Sequence, residues 1–270
     1  RDRLRSRGLG DVYKRQLLHQ QSYDYVDMFW NRDDLTRINT IHGVNLAQGI
    51  KEPIIYYQQD PDSLYIHAVK KAFADIRKYH GQPQGMYGAD EALHGNKPTQ
   101  GAELCSIVEL MYSLESMLEI TGDIQFADHL EKLAFNALPT QISDDFMTRQ
   151  YFQQPNQVML TRHMHNFDIN HGETDIVFGL LTGYPCCTSN FHQGWPKFVQ
   201  NLWYATADNG AGALVYAPSE VILDVANGIP VKIVEKTCYP MNHVVTFDIE
   251  FLDKMTESAF FPFHLRIPSW

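Results

Sequence analysis

The chain has 270 residues, 44% of them hydrophobic, which is enough for a large core or two packed units. A formal net charge of −10 offers no electrostatic attraction to nucleic acid or an anionic membrane surface, and both are set aside as partners. No apolar run reaches the roughly 18 residues that cross a bilayer, and the 12% aromatic content suits sugar stacking and a helical core alike.

Residues 1–16 hold six basic side chains against Asp2 and Asp11, with no initiator Met and no apolar stretch of a secretory leader. They read as a non-native leader outside the fold, and the sequence therefore sets no compartment. From Leu17 to about Ala207 the spacing predicts helices. The first covers Val44 to Tyr57. The second covers Asp62 to Tyr79, with Asp62 or Ser63 as N-cap. Cys105 to Ile120 is the clearest, since Ile107, Leu110, Met111, Leu114, Met117 and Leu118 recur at i, i+3, i+4 and i+7. Thr121-Gly122-Asp123 breaks it, and Ile124 to Leu138 resumes the period up to Pro139, as expected of an antiparallel helical hairpin. A last helix is expected from Phe191 or Gly194 to Ala205. Beyond Asn209-Gly210-Ala211-Gly212, short runs rich in Val, Ile and Phe predict an antiparallel β region that reaches Trp270 without tapering.

The chemistry gathers around four residues. Cys186 and Cys187 are adjacent in Tyr-Pro-Cys-Cys-Thr-Ser-Asn, and Glu103 and Cys105 stand two apart in Gly-Ala-Glu-Leu-Cys. Zinc accepts cysteine sulfur and carboxylate oxygen in tetrahedral geometry, so Glu103, Cys105, Cys186 and Cys187 make one candidate ligand set. Glu103 should precede a helix and Cys105 should sit in its first turn, where the helix dipole favours thiolate. Adjacent side chains diverge on a strand, so both members of the pair reach one metal only if Pro185 or the following turn bends the backbone. Three thiolates and a carboxylate bring Zn²⁺ to −2 with no open position, which is poor for activating water but keeps a cysteine deprotonated. Three readings stay open on spacing alone: inert buried thiols, a structural metal site, and a cradle for a thiolate nucleophile. A Cys186–Cys187 disulfide closes a strained ring and is disfavoured. Cys238 reads as a packed core thiol. Glu91, in the glycine-rich stretch 85–94, is either a solvated loop carboxyl or a proton donor. His42 is either a sugar ligand or a satisfied structural histidine. His163, His165 and His171 read as a polar loop rather than a second metal site.

Ile-His-Gly-Val-Asn-Leu-Ala-Gln-Gly-Ile-Lys (41–51), Gly-Met-Tyr-Gly-Ala-Asp-Glu (85–91), Glu-Leu-Cys (103–105), Thr-Gly-Asp-Ile-Gln-Phe-Ala-Asp-His-Leu-Glu-Lys (121–132) and Cys-Cys-Thr-Ser-Asn (186–190) occur in that order. Together they resemble the zinc-dependent β-L-arabinofuranosidases of glycoside hydrolase family 127 and the related family 146, from about Tyr23 to Trp270. The resemblance implies a mainly α chain: the second half of an (α/α)6 toroid followed by the start of an antiparallel β-sandwich. Residues 17–208 would belong to the catalytic domain and 209–270 to a truncated β-sandwich domain. It implies a retaining glycosidase with Cys186 as nucleophile, Glu91 as acid/base, and Glu103, Cys105, Cys186 and Cys187 as zinc ligands. His42 and Tyr151 would contact the substrate, an arabinofuranoside-like carbohydrate, although Phe152 aligns about as well as Tyr151. It also leaves room for a homodimer through the β part and for a non-catalytic, carbohydrate-binding relative with a structural zinc. Well-studied members carry Glu-Thr-Cys and Cys-X-Cys-Cys-Pro where this chain has Glu-Leu-Cys and Tyr184-Pro185-Cys186-Cys187-Thr188, and the Glu91–Glu103 interval is shorter here. These departures alter the pocket wall and leave the sugar open.

Overall fold

Pro53 divides the first predicted helix. It has no amide proton for the carbonyl four residues back, and its ring crowds that turn. The stretch 44–57 accordingly forms two helices, α2 (Gly43–Gly49) and α3 (Glu52–Tyr57), after a short α1 (Tyr25–Trp30). The computed structural model describes residues 24–167 and 172–270, so the expected leader and His171 lie outside the described residues. Helix α4 (Ser63–His80) begins at its predicted cap, with Asp62 Oδ1 accepting from the Leu64 amide at 2.9 Å.

Helix α5 (Leu104–Thr121) is buried on nearly every side, as a helix apolar all round must be. It stops at Gly122, whose φ of 66° suits a residue without Cβ. Asp123 then caps α6 (Ile124–Lys132), accepting from the Gln125 amide, and the predicted hairpin is formed. The apolar period read up to Leu138 runs on through a π turn at Leu133–Ala137. Two short helices follow later, α7 (Cys186–Phe191) and α8 (Gly194–Gln200). The last predicted helix is shorter than its expected reach to Ala205: α8 ends at Gln200, and residues 203–205 pair as strand with 211–213.

A small sheet sits against this helical layer. Its strands β1 (Gly88–Asp90), β2 (Ala92–Gly95), β3 (Ala102–Glu103) and β4 (Phe152–Gln153) lie in the order β2-β1-β3-β4. The glycine-rich stretch is thus a hairpin. β3 runs parallel to β1 at Ala89–Ala102 and antiparallel to β4 at Glu103–Phe152.

The strand-rich remainder starts at β5 (Trp203–Ala205), which pairs with β6 (Ala211–Ala213). An antiparallel meander follows, β7 (Ser219–Val225), β8 (Ile229–Thr237) and β9 (Val245–Phe251), and β10 (Phe263–Leu265) returns parallel to β6. Val225, Val231 and Ile233 face inward with Phe247 and Phe263, as the period-2 pattern requires. Cys238 departs from the expectation of a core thiol. It is exposed just past the end of β8, while its neighbour Tyr239 takes the buried position. Arg266 ties this part to α6. Its fully buried guanidinium pairs with Asp128 and Glu131, and Tyr239 donates to Glu131 Oε1 at 2.6 Å. Helix takes 36% and strand 20%, so the chain as a whole is mixed α/β rather than mainly α. No described helix is long and apolar enough to cross a membrane.

Candidate active site

Three of the site residues come from the small sheet. Glu91 is the turn residue between β1 and β2, Glu103 ends β3 as the N-cap of α5, and Tyr151 immediately precedes β4. Glu91 holds a backbone φ of 77°, a left-handed conformation that strains any residue with a Cβ by on the order of 1–3 kcal/mol. Its carbonyl accepts from the Gly43 amide at 2.6 Å, which anchors the strained turn to the start of α2. Gly43 allows this approach, because a Cβ there would lie 2.8 Å from the Cβ of Ala89.

Both oxygens of the Glu91 carboxyl are engaged. His42, the N-cap of α2, accepts from the Asn45 amide through Nδ1 at 3.3 Å, which leaves Nε2 to donate to Glu91 Oε2 at 2.8 Å. The Tyr151 hydroxyl donates to Oε1 at 2.5 Å. The bond to Glu91 raises the pKa of His42, and burial among carboxyls raises that of Tyr151. Phe152, the competing residue in the sequence, points away into the core against Phe167. The chain bends at residue 151, just ahead of β4, so that Tyr151 faces Glu91 while Phe152 faces the core.

The second cluster is a few ångströms deeper. Helix α7 carries Cys186 and Cys187 at its first two positions, behind Pro185. The sequence showed no helix here, but this turn provides the bend that two adjacent side chains need to converge. Cys105 stands in the first turn of α5, and its Sγ lies 3.4 Å from that of Cys187. Glu103 Oε1 lies 3.7 Å from Cys186 Sγ and 3.6 Å from Cys187 Sγ. One ligand atom from each of the four residues falls within 4.8 Å of every other. A tetrahedral zinc with its usual bond lengths sets S···S near about 3.8 Å and O···S near about 3.5 Å. The donor set therefore fits the ion, with all four cysteines of the chain free thiols.

The electrostatics of the cluster call for a cation. Glu103 is 2% exposed, and its Oε2 has no hydrogen-bond partner. Burial, aided by the charge of Glu91, pushes its pKa up to about 8. The hydrogen bond from Cys105 holds Cys186 far below the ordinary thiol range, while burial drives Cys187 up. Cys105 is also raised, through its bond to Cys186, although its place at a helix start predicted the opposite. On its own, the cluster disfavours the thiolates of Cys105 and Cys187. A divalent cation would let all three thiols ionise.

Both clusters open on one cavity of about 560 Å³, lined also by Val44, Gln48, Tyr184, Ser189, Asn190 and Gln193. Cys186 is half-buried at its wall, whereas Cys187 is fully buried behind it. His42, Glu91 and Glu103 form a second close group that shares Glu103. The rings of His163 and His165 lie 4.1 Å apart, and His165 packs on Phe167. Among the described residues neither belongs to a metal-holding group. Sequence reasoning also passed over Arg149, which is buried beside the cysteine loop and carries no motif that marks it.

The model of the β-L-arabinofuranosidase GH127 catalytic domain matches residues 15–200. Among solved structures, a GH127 β-arabinofuranosidase aligns with a TM-score of 0.67 at 21% identity, over 85% of this chain and 34% of that one. A GH127 β-L-arabinofuranosidase from Geobacillus stearothermophilus gives 0.69 at 20% identity, over 85% and 36%. A further structure, described as a glycoside hydrolase, gives 0.66 at 17%, over 85% and 40%. The shared feature at these identities is the fold, and the chain spans only 34–40% of the length of these structures. No curated protein matches the chain.

Proposed function

The chain belongs to the GH127 β-L-arabinofuranosidase catalytic-domain family, and we propose from this premise that it carries the reacting groups of a retaining glycoside hydrolase for arabinofuranoside-like sugars. The observation that supports this most is the convergence of Glu103, Cys105, Cys186 and Cys187 beside the doubly hydrogen-bonded carboxyl of Glu91. In this reading residues 17–208 supply part of an (α/α)6 catalytic domain and residues 209–270 part of a β-sandwich.

Glu103, Cys105, Cys186 and Cys187 would hold zinc. The bound ion supplies the positive charge that keeps the thiols ionised at neutral pH. Cys186, the member of the pair at the cavity wall, attacks the anomeric carbon, and a C–S bond forms as the C–O bond to the leaving group breaks. Glu91 delivers its proton to the departing oxygen. In the second step Glu91 takes a proton from water as that water displaces the sulfur, so two inversions give net retention. The bonds from His42 and Tyr151 favour the ionised carboxyl needed in that second step. A tyrosine hydroxyl accepts as readily as it donates, so Tyr151 also serves the protonated form. A purely structural zinc is the second reading, and the approach of Cys186 and Glu91 to one cavity favours the catalytic one.

The test uses a full-length version of the enzyme with an aryl β-L-arabinofuranoside. Cys186→Ala and Glu91→Gln are each expected to lower kcat by about a thousandfold or more, as loss of a nucleophile or its proton donor does. Turnover retained by both variants overturns the assignment.

A further inference from the structure

Arg149 is 3% exposed, and no carboxylate among the described residues pairs with it. A buried, unpaired guanidinium is costly unless its donors are all satisfied. Every one of its donor nitrogens turns to one loop. Nε donates to Thr188 Oγ1 at 3.0 Å, and Nη2 donates to the carbonyls of Leu180 at 3.3 Å and Tyr184 at 2.8 Å. Nη1 donates to the carbonyl of Thr182 and, at 3.4 Å, to its hydroxyl. The Tyr184 and Thr188 contacts fall on either side of Pro185, Cys186 and Cys187, so the fork brackets the cysteine pair.

The backbone continues the same connection. Arg149 and Gly179 exchange amide–carbonyl bonds of 3.3 and 3.0 Å. Gly183, with φ of 63°, lies against the Tyr151 ring where a Cβ would clash. Two residues along from Arg149, Tyr151 reaches Glu91. One short segment, 149–151, thus grips the cysteine loop at one end and the carboxyl at the other.

We propose that Arg149 is a positioning residue: its guanidinium fixes the backbone of residues 180–188 and so sets Cys186 and Cys187 at bonding reach of Cys105 and Glu103 and in register with Glu91. The inference rests on the proposed metal-held nucleophile for its chemical meaning, while the clamp itself is a property of the loop. A planar fork of five donors does what a lysine ammonium of equal charge cannot. Holding the partners of metal ligands in this way is commonly worth about 10–100-fold in metal affinity.

The experiment compares the chain with Arg149→Lys and Arg149→Ala by hydrogen exchange and by cobalt(II) binding, read from the thiolate-to-cobalt absorption. Both variants are expected to exchange amides of 180–190 at least tenfold faster, with the amides of 104–121 unchanged, and to bind cobalt about 10–100-fold more weakly. Loop exchange like the parent in Arg149→Lys, or an equal rise in 104–121, overturns the clamp. The first outcome would make charge alone sufficient, and the second would mean general destabilisation. Absence of cobalt binding to the parent chain overturns the metal reading instead, and hydrogen exchange then decides the role of Arg149 by itself.

Discussion

At Arg266 a buried guanidinium lies between the carboxylates of Asp128 and Glu131, and Tyr239 and Trp270 add donors to Glu131. At Glu103 a buried carboxyl faces three thiols, and one of its oxygens has no partner. The first cluster contains its own counter-charge and joins α6 to the strand-rich part. The second is a set of electron-pair donors with no cation of its own. Buried ionisable groups that neutralise one another hold a fold together. A group of donors that cannot do so is built around something else, and its protonation state is frustrated until that arrives.

Breaking the self-contained cluster should have the largest effect on stability. Arg266→Ala leaves the buried Glu131 and the partly buried Asp128 without a cation and is expected to cost about 3–5 kcal/mol, measured as a lower urea midpoint. The variant should still bind one zinc, and loss of zinc along with stability would mean the two clusters are not independent. Metal removal acts on the other cluster. With free zinc at about a thousand times Kd, chelation should withdraw about 4 kcal/mol and lower Tm by roughly 10 °C. Cys187→Ser should be insensitive to chelator, so a chelator shift of normal size in that variant would contradict the ligand set.

Glu115 lies between these extremes as a buried carboxyl on α5 whose Oε1 has no partner. Burial pushes its pKa up to about 8, against 4.5 for an ordinary glutamate. The folded form binds the proton more tightly than the unfolded one, so the associated stability is complete below pH 4.5. It is lost as pH rises through about 8. Glu115→Gln should flatten the stability profile over that window by on the order of 2 kcal/mol relative to the parent. Parallel profiles would show that the carboxyl finds water or a partner on ionising. The smallest effect expected is at Asp62, which touches neither cluster: Asp62→Ala should cost about 1 kcal/mol through loss of an N-cap, with zinc binding untouched.

How much of this could be read in advance varied with length and period. Helix α5 was legible because six apolar residues repeat over about three turns, and the place of Glu103 ahead of Cys105 followed from it. Helix α7 was not, because six residues, Cys-Cys-Thr-Ser-Asn-Phe, are too few to show a period. The division of 44–57 could have been read from Pro53. Tyr151 and Phe152 could not be separated by alignment of motifs, since only the opposite sides they face at the start of β4 distinguish them. Arg149 gave no signal at all: a lone arginine reads as surface, and the carbonyls that bury it come from thirty residues further on.

The parallel pairing of Ala89 with Ala102 has one more consequence. It fixes how Glu91 and Glu103 stand to one another through a rung of backbone, while residues 96–99 carry the chain back to Gly101, which bonds to Ala89 and Asp90. The count of residues between the two carboxyls is therefore slack, and chains with a longer or shorter detour can present the same pair. A transplant of this site to another scaffold would have to copy the rung and Gly101, where a Cβ would meet Asp90 and Phe152 at 2.9 Å, and could ignore the spelling of residues 96–99.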